Sequence, residues 1–319
     1  LLSLGQFHAA QSNDVALARS LLDEAAPLVA QLGNRQLVGD LAYGEALLEL
    51  SAGRLPAASA AIQRAYDAMV DVFGEDRPEL GPIVAVRAQI AAVAGEAAIA
   101  ARDHTRVVEL YGATYGPEHP ETLNARLNLA THDLYSQDIE RGKAELVALI
   151  AALEHGAPSV LAEAHTALCE SLYVAGDPDA VAACTRAVTA AERGFGPTHP
   201  RLGVALFDLG QAVLNTDDDA RLPEAIQILR RSEQLVRPMG DDQLALTRFM
   251  LARALVAADQ APAEARSLLE LAIPVLRRNT SRGQLVELVP QWYPAWRSLA
   301  AFAKASAPTS RGRQPARGP

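Results

Sequence analysis

A corner motif that recurs at a near-constant spacing constrains the fold of this 319-residue chain more than any other feature. Two close copies are YGPEHPETL at Tyr115–Leu123 and FGPTHPRL at Phe195–Leu202, and a third, FGEDRPEL, stands at Phe73–Leu80. The glycine favours the left-handed backbone that closes a helix, and the second proline favours the first turn of a new helix, where no N–H is needed. Each copy therefore predicts that one helix ends and another begins.

The corner glycines define a period of about forty residues. Intervals of 41, 42, 40, 40 and 44 residues separate Gly33, Gly74, Gly116, Gly156, Gly196 and Gly240, with Gly156 in the degenerate copy LEHGAPSV. A fixed period in this range indicates a single array of repeats rather than two compact domains. Within each period the apolar residues recur at spacings of three and four residues, which predicts two amphipathic helices.

The apolar spacing predicts seven helix pairs, the first of them truncated. The turn inside the third pair is not defined by the pattern. The predicted pairs are 1–11 with Asp14–Leu32, Gln36–Ser51 with Pro56–Phe73, 79–94 with 96–113, Pro120–Tyr135 with Ile139–Glu154, Ser159–Val174 with Pro178–Arg193, Pro200–Leu214 with Pro223–Val236, and Asp241–Ala257 with Pro262–Arg278.

The C-terminal region differs from the repeats that precede it. Residues 1–280 are assigned to the array, and one helical face of Leu285–Ala305 carries Trp292, Trp296, Leu299 and Phe302. We expect residues 281–305 to form a helix that caps the last repeat, with a docking surface for another domain as the alternative. The cationic tail 306–319 is expected to be disordered. Because the chain begins without methionine in a helical pattern, we expect a fragment of a longer protein.

Charge and hydropathy exclude two classes of partner. The formal net charge is 29 minus 38, or −9, spread along the chain, which disfavours nucleic acid because phosphate binding needs clustered Lys and Arg. The longest apolar run, Ile83–Ala101, contains Arg87, Gln89 and Glu96 and is mostly alanine, so no membrane span is predicted. We expect a cytoplasmic protein, with Cys169 and Cys184 as small buried residues in a reducing compartment, although a disulfide is possible.

The sequence contains no recognisable catalytic or metal-binding motif. Seven histidines include no HExxH pattern, and there is no CxxC and no GxSxG. His119 and His199 precede the second proline of the corner motif, where we expect them to cap the following helix. The acidic run Asp217–Asp219 lacks the glycine and distal glutamate of a calcium loop. The prediction is a non-enzymatic protein with no cofactor and no metal.

The repeats resemble tetratricopeptide repeats (TPRs) of the roughly 42-residue type found in kinesin light chains and many bacterial proteins. The corner motif is the first shared feature, and small residues at the close approach of the two helices are the second: Ala130, Cys169, Gly210 and Ala252. The third is a B-helix triplet spaced four and then three: Ala58, Ile62, Ala65; Ala180, Cys184, Ala187; Ala225, Leu229, Ser232; Ala265, Leu269, Ala272. Departures are Glu49, Asp133 and Val213 in place of an aromatic residue, and Gly142 in place of an alanine.

This resemblance implies an all-α fold, a right-handed α–α superhelix of six to seven helix-turn-helix repeats with a C-terminal capping helix. It also implies a scaffold that binds a protein or peptide partner along a concave groove lined by the first helix of each repeat. Carried onto this sequence, the groove residues are Tyr43, Leu47, Leu127, Thr131, Thr166, Glu170, Tyr173, Phe207, Gln211, Phe249 and Arg253. Leu127, Phe207 and Phe249 are core residues instead if the register slips by one.

Two functions of different class fit these observations. The first is a non-catalytic scaffold that binds a partner in the groove. The second follows from a further resemblance, to the C-terminal regions of bacterial serine/threonine protein kinases, and makes the chain the sensor or substrate-docking part of such a kinase. The chain itself has no glycine-rich phosphate loop, no HRD and no DFG, so phosphate transfer would require a catalytic domain upstream.

Overall fold

The computed structural model describes residues 1–9, 15–135, 138–153, 157–216, 218–278 and 283–293, and this part of the chain is all-α with no strand. The predicted fold class is confirmed. The helices are α1 Leu2–Phe7, α2 Val15–Leu32, α3 Arg35–Ser51, α4 Leu55–Phe73, α5 Gly81–Val93, α6 Ala97–Tyr115, α7 Pro120–Leu134, α8 Ile139–Ala152, α9 Pro158–Val174, α10 Ala180–Phe195, α11 Pro200–Leu214, α12 Leu222–Val236, α13 Asp241–Ala257, α14 Pro262–Arg278 and α15 Gly283–Trp292.

The chain divides into two compact units, Leu1–Ser171 and Leu172–Pro319, and the division falls within α9. In the first unit α3 pairs with α4, α5 with α6 and α7 with α8, while α4 contacts α5 and α6 contacts α7. In the second unit α11 pairs with α12 and α13 with α14, and α12 contacts α13. Each unit is therefore a stack of helix pairs whose neighbours bury one another. We call the first helix of each pair the A-helix and the second the B-helix.

The corner motif ends and starts helices as its chemistry predicts. Gly116 and Gly196 have φ values of 91° and 95°, which favour glycine. The Nδ1 atoms of His119 and His199 accept hydrogen bonds from the backbone amides of Glu121 and Arg201, and both capping predictions are confirmed. In the third copy Arg77 stands in place of the histidine and makes no side-chain cap. There the chain passes through a 3₁₀ turn, Pro78–Leu80, before α5 begins.

Small residues let the two helices of a pair approach closely. All twelve side chains of the B-helix triplets are buried. At Gly210 an added Cβ would lie 2.7 Å from Leu229 Cδ2 across the α11–α12 contact. At Gly142 it would lie 2.7 Å from the carbonyl oxygen of Ala130 and 2.9 Å from the amide nitrogen of Leu134. The departure at Gly142 therefore has a steric reason, since the backbones of α7 and α8 meet there.

Ion pairs occupy two positions where the repeat pattern has an aromatic residue. Asp133 is 2% exposed, and its carboxylate accepts hydrogen bonds from Arg141 Nε and Nη2 at 2.9 and 2.6 Å. Glu49 pairs with Arg19 at 2.7 Å and also with Arg54. A buried carboxylate needs such partners because desolvation of an unpaired charge is costly.

The two cysteines are buried as predicted, but the expectation of reduced thiols is wrong. Cys169 and Cys184 are both 0% exposed, and neither is a free thiol. The spacing of the two cysteines in the sequence did not distinguish this state from a pair of reduced thiols.

Helix α15 packs on α13 and α14, with Val286 and Val289 buried and Trp292 edge-to-face against Phe249 at a centroid distance of 5.6 Å. The rest of the predicted cap, with Trp296, Leu299 and Phe302, and the predicted tail 306–319 lie outside the described residues. No helix in the described ranges is long and apolar enough to cross a membrane.

Candidate functional site

Three consecutive A-helices of the first unit enclose a cleft of about 470 Å³. Helix α5 supplies the middle wall, α3 and α7 supply the two sides, and α6 reaches the cleft through His104. The lining residues are Tyr43 from α3; Pro82, Ala85, Val86, Gln89 and Ala92 from α5; His104 from α6; and Asn128, Thr131, His132 and Tyr135 from α7 and its C-cap. We refer to this site as the α3–α5–α7 cleft.

The repeat period explains why these residues converge. Tyr43 and Ala85 are 42 residues apart, and so are Gln89 and Thr131. All four line the α3–α5–α7 cleft. Equivalent positions on successive A-helices face the same side because the helix pairs stack in one register. The predicted groove residues Tyr43 and Thr131 are thereby brought to one site.

The other predicted residues of the first unit lie elsewhere. Leu47 is partly buried against the core cluster of α3–α7, and Leu127 is 4% exposed in the core cluster of α7–α9. Thr166 and Glu170 are partly exposed on α9, where the Thr166 hydroxyl donates to the carbonyl of Ala162 at 2.9 Å. Leu127 therefore offers a partner little surface, as expected of a core residue.

In the second unit the predicted residues separate into buried and accessible ones. Phe207 and Phe249 are 4% and 2% exposed. Tyr173 is partly exposed, and its hydroxyl accepts a hydrogen bond from Gln211 Nε2 at 3.1 Å. Arg253 is partly buried on α13, and burial lowers the pKa of its guanidinium. The two phenylalanines thus build the core and Gln211, 9% exposed, is also buried, while Tyr173 on α9 and Arg253 on α13 are partly exposed.

Sequence reasoning missed the contribution of the third repeat. Its A-helix, α5, supplies five lining residues, and the prediction named none of them because the turn after this helix was not defined. The turn lies at Gly95, with φ of 80°, within an alanine-rich run that hides the helix ends. A signal was nevertheless present: adding 42 residues to Tyr43 and Leu47 gives Ala85 and Gln89, which both line the cleft.

Two histidines from neighbouring helices form a pair in the cleft. The rings of His104 and His132 have centroids 5.4 Å apart. Burial, reinforced by His132 and opposed by Asp103 and Asp133, lowers the pKa of His104 from 6.5 to about 4. His104 is therefore neutral near neutral pH. Nε2 of His132 is buried and has no hydrogen-bond partner among the described residues.

A buried ion pair holds in place helix α6, which carries His104. Asp103, next to His104, is 1% exposed and accepts hydrogen bonds from Arg87 Nε at 2.6 Å and from Arg102 Nη2 at 2.9 Å. The Arg87 guanidinium also lies over the ring of Tyr66, 4.3 Å from its centroid. Because Arg87 belongs to α5 and Asp103 to α6, the pair joins the wall of the cleft to the helix behind it.

The chemistry available in the cleft is hydrogen bonding and apolar contact. Its lining includes no Asp, Glu, Lys or Arg side chain, and its polar groups are amides, hydroxyls and imidazoles. Over the described ranges, no group of three or more His, Cys, Asp or Glu residues is placed to hold a metal ion. Apolar walls with a few hydrogen-bonding groups are the usual lining of a small-ligand site.

Comparison with known proteins identifies the fold. No family model matches the chain, and no curated protein matches it. Among solved structures, the Rap protein in complex with Competence and Sporulation Factor is similar, with 14% identity over 90% of this chain and 80% of that chain and a TM-score of 0.61. Two others are the TPR-like repeats of a Podospora anserina chain assigned as a kinesin light chain (18% identity, 65% and 99% covered, TM-score 0.49) and BtubC from P. vanneervenii (15%, 96% and 96%, 0.43). The predicted TPR-type repeat fold is confirmed.

Proposed function

We propose that the protein is a non-catalytic scaffold that binds a segment of a partner protein, or a peptide, in the α3–α5–α7 cleft. The observation that carries this proposal is the cleft itself. Its volume of about 470 Å³ falls in the range of ligand sites, and three consecutive A-helices build it at positions that repeat every 42 residues.

The form of the cleft favours an elongated guest over a compact one. A site assembled from three successive repeats is extended along the direction in which the repeats stack, and an extended or helical segment matches such a site. Its mixture of apolar walls and a few hydrogen-bonding groups is typical of peptide grooves. The Rap protein offers one example of a similar fold determined in complex with a factor.

The accessible residues on the other A-helices extend the proposal beyond the cleft. Thr166 and Glu170 in the first unit, and Tyr173 and Arg253 in the second, lie at partly exposed positions on α9 and α13, and Gln211, which is 9% exposed, donates a hydrogen bond to the Tyr173 hydroxyl. We propose them as secondary contacts. Leu127, Phe207 and Phe249 shape the helix packing beneath the surface, and Leu47 is partly buried against the core.

The kinase-associated role and the cytoplasmic location stay predictions. No contact or cleft in the described ranges favours a kinase-associated scaffold over another scaffold, so the docking role in a serine/threonine kinase is not proposed separately. If the chain belongs to a longer protein, ATP turnover by that protein would test it.

A peptide selection tests the scaffold function. The immobilised chain is used to select binders from a library of short random peptides, and calorimetry gives the Kd of each enriched peptide. Gln89→Trp fills the cleft from its exposed middle wall, and we expect it to weaken binding by at least about tenfold. Gln31→Trp is the matched control, because Gln31 is also exposed, on α2, but lies outside the cleft. Absence of enriched peptides, or equal affinity for the Gln89→Trp variant, would contradict the proposal.

A further inference from the structure

We infer that the α3–α5–α7 cleft accepts an uncharged side chain that both donates and accepts a hydrogen bond, and that this side chain is the phenol of a tyrosine in the bound segment. This inference rests on the proposed function. It goes beyond that function because it names the chemistry of the anchoring residue, which the fold leaves open.

The absence of charge in the lining excludes an ionised anchor. About a fifth of the chain is Asp, Glu, Lys or Arg, yet none of these residues lines the cleft. The nearby carboxylates are already engaged: Asp103 is held by Arg87 and Arg102, and Asp133 by Arg141. A charged guest would lose its hydration without gaining a counterion.

The unpaired nitrogen of His132 favours an anchor with a polar group. Nε2 of His132 is buried and, among the described residues, has no partner. A buried polar atom in this state costs free energy that a guest can recover by pairing with it. The nitrogen is covered in this conformation, so the guest reaches it when the imidazole turns about χ2, a torsion with a broad energy minimum.

A phenol satisfies this nitrogen in either tautomer. If Nε2 carries the hydrogen, the phenol oxygen accepts, and if Nε2 carries the lone pair, the phenol O–H donates. An indole can only donate, and a phenyl group can do neither. The aromatic body of the guest would meet the apolar side of the cleft, formed by Pro82, Ala85, Val86 and Tyr135. Gln89 and Asn128 remain to bond the neighbouring backbone.

Amino-acid amides test this inference directly. Ligand-observed NMR with the full chain compares N-acetyl-tyrosinamide, N-acetyl-phenylalaninamide and N-acetyl-phosphotyrosinamide. We expect the tyrosine probe to bind roughly three- to tenfold more tightly than the phenylalanine probe, which is the size of one neutral hydrogen bond. The phosphorylated probe should not bind detectably, because its charge of about −2 finds no counterion in the cleft.

Substitutions at His132 test whether the preference for the tyrosine probe depends on Nε2 of this residue. His132→Phe keeps an aromatic ring and removes Nε2, so the ratio of the affinities for the tyrosine and phenylalanine probes should fall to about one. His132→Gln keeps a polar group and should retain part of the preference for tyrosine. His8→Phe, at a histidine outside the cleft, should leave the preference unchanged, and circular dichroism checks that each variant folds.

The outcomes separate this inference from the proposed function. Equal binding of the tyrosine and phenylalanine probes, or binding of the phosphorylated probe, would overturn the phenol assignment. Library peptides that bind through an anchor other than tyrosine, and that Gln89→Trp blocks, would refute the inference and leave the scaffold function standing. If no peptide binds, the proposed function itself fails.

Discussion

The imidazole of His199 stacks on the ring of Phe195 with centroids 5.0 Å apart, while its Nδ1 accepts a hydrogen bond from the amide of Arg201 at 3.1 Å. Tyr115 and His119 repeat this arrangement at 4.6 Å. One histidine therefore contacts the helix that ends and caps the helix that begins. The aromatic residue, glycine, histidine and second proline of the corner form one structural unit.

The first prediction concerns this cap. His199→Ala removes both the acceptor for the Arg201 amide and the ring stacked on Phe195, so it should lower the free energy of unfolding by about 1–2 kcal/mol. His199→Asn supplies an oxygen acceptor and should recover much of the loss. Arg77→Ala is the matched control at a corner without a side-chain cap, and it should change stability by less than about 0.5 kcal/mol. Urea denaturation measures all three; equal effects at His199 and Arg77 would contradict the capping role.

A second prediction uses two helical glycines with different surroundings. Gly142→Ala should destabilise the protein by about 1–3 kcal/mol, because the new methyl group meets the backbone of Ala130 and Leu134. Gly112→Ala should have the opposite sign and stabilise α6 by about 0.5–1 kcal/mol, because the nearest atom, Thr122 Cγ2, is 3.8 Å from the added Cβ. Melting temperatures compare the pair, and a neutral Gly142→Ala would show that α7 and α8 are not in close contact.

The third prediction separates core residues from contact residues. Phe249→Ala should cost about 3–5 kcal/mol, because the ring is buried against Trp292. Thr131→Ala, at a partly exposed cleft position, should leave the melting temperature nearly unchanged and affect peptide affinity instead. Thermal melts followed by calorimetry make the comparison. A Phe249→Ala variant that melts like the wild type but no longer binds peptide would assign Phe249 to the binding surface instead of the core.

The fourth prediction is a pH dependence centred on His104. Its pKa is about 4 in the folded chain and 6.5 when unperturbed, so between these values the unfolded chain binds more protons than the folded one. The contribution of His104 to the free energy of unfolding is therefore fully present above pH 6.5 and is lost as the pH falls towards 4. His104→Gln removes this titration. The free energy of unfolding of the wild type should therefore fall relative to that of the variant as the pH is lowered from 6.5 towards 4. Urea unfolding at several pH values measures it, and a constant difference would contradict the assignment.

The sequence predicted helices best where proline and glycine mark their ends. The bounds of α11, α13 and α14 agree with the prediction at both ends, and each of these helices begins beside such a residue. Helix α10 begins at Ala180 rather than at Pro178, because Asp177 accepts a hydrogen bond from the amide of Asp179 and holds Pro178 in the turn.

The cleft could be predicted only in part, because it depends on packing between repeats. Tyr43 and Thr131 follow from the resemblance to TPRs, carried over one repeat at a time. The pairing of His104 with His132, and of Arg87 with Asp103, brings together residues from different helices at spacings that no short motif records. Locating them required the register of α5, which the alanine-rich sequence around Gly95 left undefined.

Chemical-shift mapping tests the central claim most directly, namely that three successive A-helices form one binding site. The chain is labelled with ¹⁵N and titrated with the tightest peptide from the library selection. We predict that the largest amide shifts cluster on Tyr43, Gln89 and Thr131, and that they are lost in the Gln89→Trp variant. Shifts confined to the B-helices, such as α4 and α8, with none at these three residues, would contradict the account.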